Sequence, residues 1–133
     1  MRGLGELEAA IMSALWRAEG PLPVRDIRSS MVYDRDLAYT TVMTVANILH
    51  QKGLLEREKT GRAWTYRPRE THAEYTARVM GEVLSTGPDS GLTLLRFVER
   101  FSDEDMVRLH HAFRQVRDRR TGSVSPYRSP AAQ

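Results

Sequence analysis

Thr40, Thr44, Asn47 and Gln51 stand at offsets of four, seven and eleven, so a helix through them lines their hydroxyl and amide groups along one stripe. Groups of that kind both donate and accept hydrogen bonds, which suits the edges of nucleic-acid bases and their phosphates. Tyr39 and Thr41 stand at the start of the same helix, where a phenol or hydroxyl can reach a sugar–phosphate backbone. Cations bracket the stripe, with Arg25 and Arg28 before it and Arg57, Lys59 and Arg62 after it. Phosphate contacts from such side chains fix register and supply sequence-independent affinity. Glu56 and Glu58 dilute the second cluster, so its charge alone does not define a partner.

Other chemistries find less support. Cysteine is absent, which removes disulfides, thiolate metal sites and cysteine nucleophiles together. His110 and His111 are adjacent and would point about 100° apart on a helix, so they cannot readily clasp one ion. His50 and His72 have no evident metal-binding partners. The expectation is no enzymatic activity, no metal and no cofactor. The net charge of +3 is modest, yet the isoelectric point is about 9.6, and the basic excess is almost entirely arginine. No stretch approaches the roughly eighteen uninterrupted apolar residues of a membrane span. Glu6 stands where a signal peptide requires an apolar run, so the expected location is the cytoplasm.

The elements that must hold these side chains follow from periodicity. Leu4, Leu7, Ile11 and Leu15 recur at helical spacing until Gly20-Pro21, which predicts a first helix over about 5–18. Pro23 suits a first helical turn, and Val24, Ile27 and Met31 continue a short second helix to the break Asp34-Arg35-Asp36. Val42, Val45, Ala46 and Leu49 place a third helix over about 38–52, stopped by Gly53. Two short runs then flank Thr60-Gly61 and end at Pro68, which predicts a hairpin. Three short helices followed by a hairpin with a basic tip form a winged helix-turn-helix over residues 4–68.

Beyond it, residues 69–120 are predicted to be helical. Thr71-His72-Ala73-Glu74 has capping-box spacing and opens a helix carrying Tyr75, Val79 and Val83 on one face. Leu94, Leu95, Val98 and Phe101 mark a second helix over 92–101. Met106, Leu109, Phe113 and Val116 mark a third that begins at Ser102 and ends near Arg117, Arg119 and Arg120. Some fifty residues of amphipathic helix bury too little apolar area alone. These eleven apolar side chains are therefore expected to form a homodimer contact. Residues 121–133, rich in serine and proline, are expected to be a disordered tail in which Arg128 could touch DNA. The predicted class is mainly α (α+β): a winged helix-turn-helix with a C-terminal helical dimerisation region, partnered by double-stranded DNA. A small-molecule-responsive regulator or a winged helix used for protein contact keeps the same fold and stays open as an alternative.

Leu4-Gly5-Glu6-Leu7-Glu8, Ala38-Tyr39-Thr40-Thr41-Val42-Met43-Thr44-Val45, Lys52-Gly53-Leu54 and Gly61-Arg62-Ala63-Trp64-Thr65-Tyr66 together resemble the BlaI/MecI/CopY family of bacterial repressors. The resemblance implies a dimeric repressor on inverted-repeat operators, controlling resistance or cell-envelope genes and often its own promoter. It also implies, for the antibiotic-responsive branch, a BlaR-type membrane sensor protease that cuts an Asn-Phe bond in the dimerisation region. Here Leu94-Leu95-Arg96-Phe97 sets arginine before the phenylalanine, so Arg96 and Phe97 mark the candidate cleavage site. Members often hold arginine or asparagine where this chain has Ile48, and the copper-responsive branch uses cysteine pairs that this chain lacks.

Overall fold

The structure, a computed structural model, describes residues 4–124. Helix α1 spans Glu6–Arg17 and buries Ile11, Met12, Ala14 and Leu15. The Glu8 carboxylate accepts the Gly5 N–H at 3.0 Å, which satisfies one of the donors left over at the helix start. It also meets Lys52 Nζ at 2.7 Å, tying α1 to the end of the third helix. Partial burial opposes ionisation of Glu8, but Lys52 and the Gly5 N–H outweigh it and hold the carboxyl below its ordinary range.

Strand β1 is Leu22–Pro23, followed by α2 at Val24–Ser30. Pro23 therefore sits at the N-cap, just before the helical turn expected for it, with φ −73°. A proline is tolerated there because β1 is an edge strand and its missing N–H removes no interior ladder bond. Helix α3, Tyr39–Gln51, buries Val42, Ala46 and Leu49. Its end is a Schellman motif: Leu54 N–H donates to Leu49 O at 3.0 Å and Gly53 N–H to His50 O at 3.0 Å. Gly53 has φ +84°, a conformation that glycine adopts without strain.

The wing is β2, Leu55–Thr60, and β3, Ala63–Pro68, with Gly61 at φ +65° in the two-residue turn. Sheet order is β1-β3-β2, antiparallel throughout, with Leu22 opposite Tyr66 and Arg57 opposite Tyr66 on its other side. β1 was not expected, since two residues carry no period-2 signal. The helices, the wing and this added strand enclose one core of Ile11, Met12, Leu15, Val24, Ile27, Val42, Ala46, Leu49, Leu55 and Tyr66, and the fold is a winged helix.

Helix α4, His72–Leu84, opens with the expected capping box, Thr71 N–H to Glu74 at 2.9 Å and Glu74 N–H to Thr71 Oγ1 at 3.1 Å. Its first turns pack on the winged domain. Trp16 Nε1 donates to Glu70 O at 3.0 Å, and the Trp16 ring lies 4.7 Å from His72 and 5.3 Å from Tyr75. Arg78 bonds both Glu70 oxygens and holds that carboxyl below its ordinary range. The first compact unit thus ends at Glu82, past the boundary expected at residue 68.

The second unit begins at Val83 and contains α5, Ser90–Val98, and α6, Asp103–Val124. Asp89 caps α5 by accepting the Leu92 N–H at 3.0 Å. Ser102 and Asp105 cap α6 reciprocally, Ser102 N–H to Asp105 at 3.2 Å and Asp105 N–H to Ser102 Oγ at 3.1 Å. α6 continues past residue 120, so residues 121–124 are helical rather than part of a disordered tail, and the three arginines fall before its last turn. The first proline after Asp103 is Pro126, so no strong breaker stops the helix at 120. Residues 125–133, with Arg128, lie outside the described residues.

Candidate nucleic-acid interface

With Val42, Ala46 and Leu49 turned to the core, α3 exposes Tyr39, Thr40, Thr41, Thr44, Ile48 and Gln51. The stripe is rotated from the one expected: Asn47 is half-buried and Ile48, 39% exposed, occupies the open position. The physical reason comes from the wing. Asn47 Oδ1 accepts the Tyr66 hydroxyl at 2.6 Å and Arg57 Nη1 at 2.9 Å. Asn47 therefore has its acceptor engaged and cannot make the bidentate donor-plus-acceptor pair by which an amide reads adenine. It links α3 to the wing instead. Thr44 Oγ1 donates to Thr40 O at 2.8 Å, so its hydroxyl proton is also spent on its own helix.

Cross-strand register sorts the wing into two faces. Arg57 pairs with Tyr66 and Lys59 with Trp64, and residues directly opposite share a face. The Arg57 guanidinium lies 4.3 Å from the Trp64 ring centroid and the Lys59 ammonium 5.6 Å from it, so the indole holds both cations in place. Glu56 and Glu58 occupy the opposite face, where Glu56 pairs with Arg67 at 2.8 Å. The carboxylates thus do not dilute the cationic face, because alternation in a strand sends them to the other side. Arg62 follows Gly61 at the turn and is exposed.

On the α2 side, Arg25 and Arg28 are exposed, and Arg28 Nε donates to Leu37 O at 2.6 Å, pinning the segment that leads into α3. A shallow recess of about 300 Å³ is lined by Arg25, Arg28, Ser29 and Arg35. Arg35 is the residue that reading the sequence passed over. Asp34 and Asp36 flank it in sequence, and only the fold brings it to the same recess as Arg25 and Arg28, with Asp36 also in the lining.

The eleven apolar side chains expected at a dimer contact divide between the units. Tyr75, 3% exposed, is buried in the first unit beside Trp16, and Val79 is half-buried there, so Tyr75 is not available to a second chain. In the second unit Val83, Leu94, Leu95, Met106, Leu109, Phe113 and Val116 are exposed, while Val98 and Phe101 are half-buried. Arg96 and Phe97 are exposed within α5, Arg96 bound to Glu99 at 3.1 Å and Phe97 edge-on to Phe101 at 5.0 Å.

A sequence profile described as Penicillinase repressor matches residues 4–115. "Transcriptional regulator BlaI" from two strains of Mycobacterium tuberculosis is 37% identical over 116 residues, covering 85% of this chain and 84% of that one. Among solved structures, a MarR family protein from Bacillus stearothermophilus aligns over 90% of this chain and 76% of its own, with 22% identity and a TM-score of 0.44. A likeness of that extent says nothing about what this chain binds.

Proposed function

The chain belongs to the penicillinase repressor family, and from that premise we propose that it represses transcription as a homodimer bound to an inverted-repeat operator. The family is one of transcriptional regulators, not of enzymes. The observation that carries the reading is the face made by α3 and the cationic side of the wing, joined where Asn47 holds Arg57 and Tyr66. A helix of 13 residues fits a major groove. Arg57, Lys59 and Arg62 then meet phosphate from the wing, and Arg25, Arg28 and Arg35 from the α2 side.

Dimerisation is supported by the second unit, where the large apolar side chains Leu94, Leu95, Met106 and Phe113 are all exposed, as on a surface that another chain covers. A symmetric pair would hold two copies of α3 at a fixed separation, which matches palindromic half-sites. The targets proposed are resistance or cell-envelope genes in the cytoplasm and the chain's own promoter. In the sensor-linked form of the proposal, a BlaR-type membrane protease relieves repression by cutting beside Arg96 and Phe97. Both residues are helical, so cutting first requires α5 to open. Fragment mapping after incubation with the sensor tests this, and an intact chain during full induction excludes it.

Gel shift of the chain's own upstream fragment against a scrambled one, at physiological salt, tests the main reading. Preferential binding with two symmetric protected half-sites is expected. Equal, weak binding to both fragments would favour a protein-contact role.

A further inference from the structure

We infer that α3 recognises its operator through thymine methyl groups, with Ile48 as the side chain that packs on one of them in each half-site. The inference rests on the DNA-binding reading above and names the base feature that this surface selects. α3 contains no arginine or lysine, the side chains that grip guanine in the major groove. Its one asparagine has Oδ1 taken by Tyr66 and Arg57. Its central threonine, Thr44, gives its hydroxyl proton to Thr40 O. In the middle of the exposed face Ile48 therefore offers hydrocarbon outward, and Thr44, one turn before it, keeps only the acceptor capacity of its hydroxyl.

An apolar side chain of that size on an otherwise polar, cation-flanked helix face has one complementary feature in a B-form major groove, the C5-methyl of thymine. Cytosine, adenine and guanine present only polar edges there. Leaving Ile48 against such an edge would desolvate donors or acceptors without replacing their hydrogen bonds, so the same residue also selects against the other bases.

The test uses the full chain and the upstream fragment in which footprinting has defined the half-sites. Each thymine is replaced singly by deoxyuridine, which removes the methyl and nothing else. At one symmetric position the loss should be about fourfold per half-site, and about fifteenfold when both are replaced. In Ile48→Ala the same replacement should change affinity by less than about twofold, while Ile48→Val, which keeps a branched hydrocarbon, should remain sensitive. Ile48 is exposed, so the variants should melt close to the parent chain. Selective binding that no uracil replacement weakens would overturn the inference alone, as would a sensitive thymine that stays equally sensitive in Ile48→Ala. A chain that fails to distinguish its own fragment from the scrambled one overturns the repressor reading and this inference together.

Discussion

In the first unit Ile11, Ile27, Val42, Leu49 and Leu55 are fully withdrawn from water, whereas in the second Leu95 is 53% and Phe113 63% exposed. Both sets come from amphipathic helices with ordinary apolar spacing. The difference lies in what each helix has to pack against. α1, α2 and α3 close around Leu55 and Tyr66 of the wing. Among the described residues of the second unit, none is buried, although both of its complete helices are well capped. The capping side chains specify where those helices begin. They do not supply the apolar burial that stabilises a tertiary arrangement.

The comparison breaks most easily in the second unit. Leu95→Asp places a carboxylate on the surface proposed to pair with itself, where each copy would be buried without a partner. The penalty is on the order of 3–5 kcal/mol, so sedimentation should show monomer at concentrations where the parent chain is dimeric. An unchanged oligomeric state would remove α5 from the interface. Next in size is Leu49→Ala, at a position with no exposure. It should destabilise the first unit by about 2–5 kcal/mol in denaturant titration. Unlike Leu95→Asp, this loss should be present at every protein concentration.

Asn47→Ala sharpens the view of the first unit. It leaves the buried Tyr66 hydroxyl without its acceptor and releases Arg57 from α3. Stability should fall by about 1–3 kcal/mol. DNA affinity should fall for all sequences alike, whereas a residue that read one base would lose affinity at one base pair. Asn47→Asp keeps the acceptor and should retain most of the stability.

The smallest effect is acidic. The carboxyls of Glu8 and Glu70 are held below their ordinary 4.5 in the folded chain. Their contribution is therefore present above the unfolded-state value and is lost as pH falls through the lower folded-state value. Glu8→Gln should melt below the parent at pH 7 and converge with it as acid protonates the Glu8 carboxyl. The gap should be under about 1 kcal/mol, because the pair is partly solvated.

Much of the first unit is legible in the sequence because its signals are local. Gly53 and Gly61 mark the places where a positive φ is needed, and Val42, Ala46 and Leu49 mark the buried side of α3. Which polar residue faces outward is not local. Asn47 and Ile48 are neighbours on the helix, and only the wing, through Tyr66 and Arg57, turns the amide inward. Tyr75 shows the same limit. Its spacing matches Val79 and Val83, yet Trp16, far away in sequence, captures it. The charges of the wing were legible one by one, but their separation required the strand register.

That separation makes the wing a ribbon with uncompensated positive charge on one side and paired charge on the other, where Arg67 neutralises Glu56. A polyanion drifting toward Arg57 and Lys59 is drawn in, and one drifting toward the other side meets Glu58 and a Glu56 already paired with Arg67, and gains less. The encounter is thereby oriented before any base is touched, which shortens the rotational search and raises the on-rate. Added salt should slow this arrival, because screening acts over about 10 Å at 0.1 M.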